Sequence, residues 1–398
     1  MKKLLIGVSV VLVIFIVWFF IYLPYSSDRK WNYGYAKPPY KVSPQAAALH
    51  KTLFIADMHN DSLMWNRDLV KKNSFGYIDL PRMQEGNIAL QNFMSVTKSP
   101  RGQNIDANDG STDNITILAI ADLWPVSSWF SLKERALYHA RKLHDFAKRS
   151  NGKLSVIKTS DDLAKFRERR LKEPDIVGGV LGIEGTQVLE GDPGNIKAIF
   201  DAGYRVIGLT HFFDNEMAGS MHGMQKGGLT EKGKEMLRLA EQRQMIIDIA
   251  HSSARTIDDV LALSTRPVII SHTGVKGTIN NNRNLSDDQL RRIAAKGGLI
   301  GIGFWEEAIG PITDLKAMVR AIRYAVKVAG IDYIALGSDS DGSVPMPFEI
   351  SGMVLLTEAL MKEGFTETEI RKLMGENQAA FYKKMLPGYL QGPQRSNP

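Results

Sequence analysis

Eight short apolar runs recur along this chain, and between them lie stretches whose apolar residues repeat with the period of an α-helix. Strand-length apolar runs that alternate with amphipathic helices are typical of repeated βα units, and such units build parallel sheets. We therefore predict strands at 53–58, 88–96, 177–183, 205–210, 245–250, 267–271, 299–304 and 333–337.

The number of units favours one fold class. Eight strands with intervening helices within roughly 330 residues fit an α/β chain that forms a (β/α)8 TIM-like barrel with helical insertions. In such barrels the active site lies at the carboxyl ends of the strands. A doubly wound open sheet is the alternative, because the number of strands is hard to fix from one sequence.

The regions between and after the strands are predicted to be helical. The clearest helical stretches are 231–242, 286–296 and 315–328. Ser286 is a suitable N-cap for the second of these, and Gly297 would end it. The longest insertion, 97–175, is expected to shape the barrel mouth, and 351–386 to form terminal helices packed on the outside.

The amino terminus carries a membrane-targeting pattern. Lys2 and Lys3 precede an uncharged, apolar stretch over 4–25, about the 20 residues that a bilayer-spanning helix needs. A cleaved signal peptide has a shorter apolar core, of roughly 7 to 15 residues. We predict an uncleaved anchor over 1–25, and the small residues Ser26 and Ser27 leave cleavage as the alternative.

The anchor divides the chain into four parts. We predict a connecting segment over 26–50, the barrel domain over 51–388 and a polar tail over 389–398. Basic residues flank both ends of the apolar stretch, so the positive-inside rule hardly distinguishes the two orientations. Our working expectation is an extracytoplasmic domain, either periplasmic or extracellular.

Composition narrows the chemistry and the partners. The chain has no cysteine, which excludes disulfides, thiolate metal sites and a cysteine nucleophile. Its formal charge of +7 is mild for 398 residues, and no basic run interleaves with aromatic residues as in nucleic-acid-binding proteins. We expect no nucleic-acid partner, and the sequence leaves both a monomer and a homodimer open.

Imidazole and carboxylate side chains follow the predicted strands. Four of the eight histidines occupy such positions. The residues at strand ends are His59, Asp61, Glu184, His211, His251, His272 and Asp339, with Asp341 two positions further on. His59 and Asp61 should point the same way, because side chains alternate along a strand.

Each of these residues has a structural interpretation as well. A single histidine after a strand is more often a hydrogen-bonded structural residue than a metal ligand. Unrelated structural roles, however, would not place histidines and carboxylates at the same end of several strands, where barrel enzymes build their sites. His50, His139, His144 and His222 are assigned to structure or surface, and His222 is the least certain because its loop follows the fourth strand.

Ligands without thiolates suit Zn(II), with Mn(II) and Fe(II) as alternatives. A carboxylate can bridge two metal ions about 3.5 to 4 Å apart. We expect Glu184 to bridge two zinc ions, with His59 and Asp61 on one ion and His251 and His272 on the other. The ions would hold a bridging hydroxide as the nucleophile, and Asp339 would transfer protons.

At these residues the chain resembles the membrane (renal-type) dipeptidases, zinc peptidases of the amidohydrolase superfamily. The resemblance runs from about 53 to 386. It rests on HND at 59–61, GIEG around Glu184, LTHF at His211, DIAHSS at His251, ISHTG at His272, NRNLSDDQLRRIA around Arg283, GSDSDG at Asp339 and ENQAAF at 376–381. It implies the same metal ligands, His211 orienting the scissile group, Arg283 binding the substrate carboxylate and Asp339 transferring protons.

The departures from the family pattern concern the substrate. Phe212 and Phe213 follow His211 where many members carry polar residues, Ser340 replaces an aromatic residue, and Gln187 stands where histidine is common. The resemblance implies a zinc-dependent dipeptidase for small dipeptides with a free carboxylate. Another binuclear amidohydrolase, acting on N-acyl amino acids or cyclic amides, is the alternative, and a non-catalytic membrane-tethered binding protein is a more distant one.

Overall fold

The computed structural model describes residues 1–388, and its central element is a closed barrel of parallel strands. The strands are β1 Gly34–Ala36, β2 Ile55–Asp57, β3 Ile88–Val96, β4 Leu154–Val156, β5 Val177–Glu184, β6 Tyr204–Gly208, β7 Ile246–Asp248, β8 Ile269–Thr273, β9 Leu299–Ile302, β10 Ile334–Leu336 and β11 Met346–Phe348. Eight of them follow the order β3-β2-β10-β9-β8-β7-β6-β5, and pairing of β3 with β5 closes the ring. The predicted (β/α)8 barrel is thus confirmed, and every predicted strand overlaps a barrel strand.

Three strands lie outside the ring. Strand β4 pairs with β5 but is not part of the ring, and β1 pairs with β11 in a separate two-stranded sheet. The second pairing joins the segment after the amino-terminal helix to the segment after the last barrel strand.

Helices surround the barrel and extend beyond it. They are α1 Lys2–Val17, α2 Leu23–Trp31, α3 Pro44–Lys51, α4 Leu80–Glu85, α5 Asn114–Ala121, α6 Leu132–Arg149, α7 Ser160–Arg170, α8 Ile196–Asp201, α9 Glu231–Gln242, α10 Ala254–Leu263, α11 Asp287–Ala295, α12 Glu306–Ile309, α13 Leu315–Ala329, α14 Met353–Lys362, α15 Glu367–Arg371 and α16 Asn377–Met385. The helix predicted over 231–242 has the bounds of α9.

Local sequence sets the ends of α11 as predicted. The Ser286 hydroxyl accepts a hydrogen bond from the Gln289 N–H, and the Gln289 side chain accepts one from the Ser286 N–H. This reciprocal capping satisfies two N–H groups that the first turn leaves unpaired. Gly297, with φ of 75°, takes the left-handed conformation that commonly follows a helix.

The last helix closes the amino-terminal end of the barrel. Phe381 and Tyr382 of α16 belong to the same buried hydrophobic cluster as Ala56 and Val206, and α16 contacts β2, β9 and β10. The Tyr382 hydroxyl accepts a hydrogen bond of 2.6 Å from the Asn92 side chain. We expected the terminal helices on the outside of the barrel. Helix α16 differs because its aromatic residues fill the barrel end opposite the polar strand ends.

The insertion at 97–175 is held by one buried arginine on α6. The Arg135 guanidinium, 1% exposed, makes five hydrogen bonds of 2.6 to 2.9 Å. The acceptors are the Thr97, Ser128 and Trp129 carbonyls, the Thr116 hydroxyl and the Asp113 carboxylate. These bonds fasten α5 and its flanking loops beside the barrel mouth.

We expect Arg135→Met to lower the free energy of unfolding by about 3 to 5 kcal/mol, because it leaves the Asp113 carboxylate and several carbonyls without their donor. Chemical denaturation would measure the change. Arg141→Met, at an exposed position on the same helix, should change stability by less than about 0.5 kcal/mol. Equal effects of the two substitutions would contradict the role given to Arg135.

The amino-terminal helix is continuous from Lys2 to Trp31 through a π-helical turn, Trp18–Tyr22. Within residues 1–388 it is the one helix long and apolar enough to cross a membrane, and its apolar part is exposed. A signal sequence would meet the same criterion. The predicted connecting segment 26–50 is folded, since it contains the end of α2, strand β1 and helix α3.

Candidate metal centre

The carboxyl ends of the barrel strands surround a cavity of about 970 Å³. Six predicted site residues line it, namely Asp61, Glu184, His211, His251, Arg283 and Asp339. His59 and His272 lie beneath them and are almost completely buried. The structure therefore brings together all eight residues that the sequence analysis placed in the site.

Glu184 is the centre of this cluster. Its Oε1 atom lies 3.1 Å from Nε2 of His251 and 3.5 Å from Nε2 of His272. Its Oε2 atom lies 3.5 Å from Nε2 of His59 and 3.7 Å from Nε2 of His211. One carboxylate thus faces four imidazoles, two on each oxygen.

Two further carboxylates approach the imidazole of His59. Nε2 of His59 lies 3.6 Å from Oδ1 of Asp61 and 3.8 Å from Oδ1 of Asp339. On the other side of the cluster the Nε2 atoms of His251 and His272 are 2.9 Å apart. The cluster contains three groups of three side chains that could each hold a metal ion, because the ligand atoms within a group lie within 4.8 Å of one another. The groups are His59, Asp61 and Glu184; Glu184, His211 and His251; and His59, His272 and Asp339.

Several buried atoms of the cluster lack a hydrogen-bond partner among residues 1–388. They are Nε2 of His59, Oδ1 of Asp61, Oε1 of Glu184 and Nδ1 of His251. Leaving buried polar atoms unpaired costs about 1 to 3 kcal/mol each, so such atoms in a folded protein call for an explanation. Cations would satisfy the first three of these atoms, and the ligand set without sulfur suits zinc or a similar divalent metal.

Ser271 orients two of the imidazoles. Its hydroxyl oxygen lies 3.0 Å from Nδ1 of His59 and 2.9 Å from Nδ1 of His272. These contacts leave both Nε2 atoms facing Glu184, as outer hydrogen bonds do in metal sites. The Asp248 carboxylate holds this segment by accepting a 2.9 Å bond from the Ser271 N–H.

Sequence reasoning missed Ser271. Simple alternation along a strand would turn Ser271 and His272 to opposite faces, but the pairing of β8 with β9 is irregular between Ile270 and Thr273. Both side chains consequently reach the cluster. No residue pattern predicts this irregularity, and only the neighbourhood of His272 could have drawn attention to the serine.

Burial and neighbouring charges set the ionisation of the clustered side chains. Burial lowers the pKa of His251 well below its ordinary value, and the positive charge of Arg283 adds to this effect. Burial opposes ionisation of Glu184, but the charges of His211 and His59 outweigh it and hold the pKa of Glu184 well below its usual range. Burial opposes protonation of His59, but the charges of Glu184 and Asp61 outweigh it and hold the pKa of His59 well above its ordinary value. Metals bind the neutral imidazole and the ionised carboxylate, so a cation at His59 would displace that proton.

The pKa of Asp339 is shifted in the opposite direction from that of Glu184. Burial raises the pKa of Asp339 well above its ordinary value, and the negative charges of Asp61 and Glu184 add to this, although His59 opposes them. Its backbone takes the left-handed conformation, with φ of 64°, which is costly for a residue other than glycine. This carboxyl group is therefore held at the cavity in a form that binds a proton readily.

The two aspartates after the last barrel strand have different surroundings. Asp341 does not reach the cavity, because its carboxylate lies 2.7 Å from Nη2 of Arg67 and accepts a 2.9 Å bond from the Tyr77 N–H. Asp339 alone of the pair lines the cavity.

Arg283 presents a buried positive charge beside the histidines. Its Nη2 donates a 2.8 Å bond to the His272 carbonyl and lies 3.3 Å from Nε2 of His251. The Trp305 ring covers the guanidinium at 5.2 Å. Within the described part of the chain, no carboxylate forms a salt bridge with Arg283, which leaves it suited to an anionic ligand group.

His222, which we had assigned to structure, also lines the cavity. Its ring stacks on Phe212 at 4.6 Å and lies 5.1 Å from the ring of His251. Its Nδ1 atom is 2.6 Å from the Ile105 carbonyl. Burial lowers the pKa of His222 to about 3, so the imidazole is neutral at physiological pH.

Sequence comparison identifies the family of this chain and two of its relatives. The sequence profile of the membrane dipeptidases, peptidase family M19, matches residues 43–384. An uncharacterized dipeptidase of Schizosaccharomyces pombe is 24% identical over 346 residues, which cover 83% of this chain and 80% of the yeast protein. An uncharacterized protein of Klebsiella pneumoniae, from the pqqA 5' region, is 28% identical over 243 residues, which cover 57% of this chain and 88% of that protein.

Solved structures share the fold. A Rhodobacter sphaeroides metallopeptidase, liganded with a phosphinate mimic of the dipeptide L-Ala-D-Ala, is 22% identical with a TM-score of 0.69, and the match covers 84% of this chain and 99% of that one. The probable dipeptidase PvdM of Pseudomonas aeruginosa is 18% identical with a TM-score of 0.72, covering 86% and 98%. At these identities the solved structures show a shared fold only. The family profile, in contrast, matches most of the chain. The chain belongs to the membrane dipeptidase family, peptidase family M19.

Proposed function

We propose that this protein is a zinc-dependent dipeptidase that hydrolyses the amide bond of dipeptides with a free carboxylate. One observation carries the proposal, namely that Glu184 faces four imidazoles in the same cavity that Arg283 lines. The first feature suits a two-metal hydrolytic centre and the second a substrate carboxylate. The dipeptide mimic bound by the Rhodobacter sphaeroides relative is consistent with this substrate class.

The proposed centre binds two zinc ions per chain. His59 and Asp61 would hold one ion, His251 and His272 the other, and Glu184 would bridge them. When bound, the ions supply Lewis-acid activation of water and of the scissile carbonyl.

The remaining side chains bind the substrate and move protons. We assign to Asp339, which lines the cavity, the transfer of a proton from the attacking water to the leaving amine. The ionised carboxylate would accept the proton of the water, with the high proton affinity that burial gives it, and would then donate that proton to the amine. We assign to His211 a hydrogen bond to the scissile group, because it lines the cavity beside Glu184.

Arg283 provides the test of this function. We expect the unaltered enzyme to prefer a dipeptide over its carboxyl-terminal amide, because only the free acid pairs with the buried guanidinium. Arg283→Ala should remove most of that preference, chiefly by raising KM for the acid, and Arg283→Lys should not restore it, since an ammonium lacks the planar two-pronged geometry.

The measurement is kcat/KM for the acid and the amide in each enzyme. Arg238→Ala, on the exposed face of α9, is the matched control and should keep the preference. An unchanged preference in Arg283→Ala would remove Arg283 from the carboxylate site.

The size of the cavity, about 970 Å³, favours N-acyl amino acid hydrolysis as a second candidate, because such a substrate presents the same carboxylate with a larger apolar group. Cleavage of an N-acyl alanine without cleavage of any dipeptide would support this alternative over the dipeptidase.

We further propose that residues 1–25 anchor an extracytoplasmic hydrolase domain, 51–388, to a membrane, with Leu23 and Pro24 at the cavity, outside the bilayer. The exposed apolar surface of the amino-terminal helix supports this proposal. The polar tail 389–398 lies outside the described residues. The full-length chain should stay in the membrane fraction after an alkaline carbonate wash, and its release by that wash would contradict the anchor.

A further inference from the structure

The end of the amino-terminal helix forms part of the active-site cavity. Leu23, Pro24, Ser27 and Trp31 of α2 line the same space as Asp61. Residues spaced three and four apart share one face of a helix, so α2 turns one continuous face toward the site.

A buried ion pair fastens α2 to the barrel. Oδ2 of Asp28 lies 2.8 Å from Nε of Arg67, and Nη2 of the same arginine lies 2.7 Å from Oδ2 of Asp341. All three side chains are almost fully buried. Asp341 is two residues from Asp339, so the bridge connects the helix with the loop that carries the proposed proton-transfer group.

Asn32 makes a second contact between the end of α2 and the loop after the last barrel strand. The Asn32 side chain donates a 2.8 Å bond to Asp28 and accepts a 3.1 Å bond from the Ser343 N–H. Two polar side chains of the helix end therefore attach to one loop after the last barrel strand. Removing one partner of such a buried network is costly, which fixes the position of the α2 wall.

Apolar side chains from neighbouring elements also line the cavity. They are Ile115 and Leu118 of α5 and Met64 and Trp65 after strand β2. Helix α5 packs against α2 and the π-helical turn before it. The two helices therefore form one adjoining apolar lining, and the part of the cavity beside them suits a large apolar group.

The position of Arg283 decides which end of a substrate meets this lining. Arg283 contacts His251 and His272, which follow β7 and β8, whereas Asp28 and Arg67 lie beside the ends of β2 and β10. Strands β7 and β2 are on opposite sides of the ring. A substrate whose carboxylate pairs with Arg283 therefore extends its amino-terminal residue toward α2.

We propose that α2 is one wall of a subsite for the amino-terminal side chain, and that the enzyme selects dipeptides with a large apolar residue there. This inference rests on the proposed dipeptidase function and names its substrate class. It makes the end of the membrane-length helix a specificity-determining part of the catalytic site.

The experiment uses the full-length chain in lipid nanodiscs and compares Gly-Ala, Leu-Ala and Phe-Ala. Burying a large apolar side chain should raise kcat/KM for Phe-Ala about 10-fold to 100-fold over Gly-Ala. Leu23→Ser should reduce this ratio several-fold, mainly through KM for Phe-Ala. Leu118→Ser, on the adjoining helix α5, should do the same and guards against a folding defect in the first variant.

Ile21→Ser is the matched control, because Ile21 is on the same helix and 65% exposed. It should leave the ratio unchanged. A ratio near one in the unaltered enzyme, or an unchanged ratio in both wall variants, would overturn the subsite while leaving the dipeptidase intact. Absence of hydrolysis of all three dipeptides would overturn the proposed function and the subsite together.

Discussion

Glu184→Gln is expected to abolish the two-metal centre and to lower kcat/KM by about 10³-fold or more. Two metal ions supply several kcal/mol of transition-state stabilisation, and each 1.36 kcal/mol corresponds to a factor of ten. A glutamine offers one neutral oxygen where the structure places two anionic ones, each facing two imidazoles. Its amide protons would also point toward a cation.

Metal analysis after zinc reconstitution and dialysis would accompany the kinetics. We expect about two zinc ions per unaltered chain and one or fewer in Glu184→Gln, on the two-metal scheme. Glu235→Gln, at an exposed position on α9, should retain both metal and activity. Full metal content and full activity in Glu184→Gln would rule out the bridging role.

Asp339→Asn is expected to lower kcat by about 10²- to 10⁴-fold, the usual contribution of a positioned proton donor and acceptor. Asparagine is close in shape but cannot carry the proton. Metal content and KM should change little, because the assigned metal ligands are other residues. Steady-state kinetics with a dipeptide and metal analysis together provide the measurement.

The control for Asp339 is Asp288→Asn, at an exposed aspartate on α11, which should leave kcat unchanged. Loss of metal from Asp339→Asn would identify Asp339 as a ligand instead of a proton carrier. A kcat within about two-fold of the unaltered value would exclude proton transfer by this residue, since even weak general catalysts contribute more.

The sequence predicted the barrel and the cluster for the same reason. Parallel strands bring their carboxyl ends to one mouth, so residues as distant in sequence as His59 and Asp339 could be expected to meet. Glu184 and His251 were predictable in the same way, because each directly follows an apolar run. Predicting that these residues meet required only the positions of the strands and the closure of the ring.

The parts that could not be predicted depend on tertiary contacts. The side chain of Ser271 reaches His59 only through an irregular strand register, and His222 reaches the cavity through a long loop. The closure of the barrel end by Tyr382 depends on the space left inside the ring. The ion pair of Asp28 with Arg67 could not be predicted either, because neither residue carries a sequence signature.

The unbroken helix from Lys2 to Trp31 has a consequence for how the enzyme would sit on a bilayer. The nine residues of α2 span about 14 Å, and the helix runs from α1 through the π-helical turn into α2 without a break. A barrel fastened to such a helix would not tumble independently of its anchor, and it would diffuse laterally with one fixed face toward the lipid headgroups. Its mouth would sample the thin aqueous layer at the interface, where apolar dipeptides partition more strongly than in bulk solution.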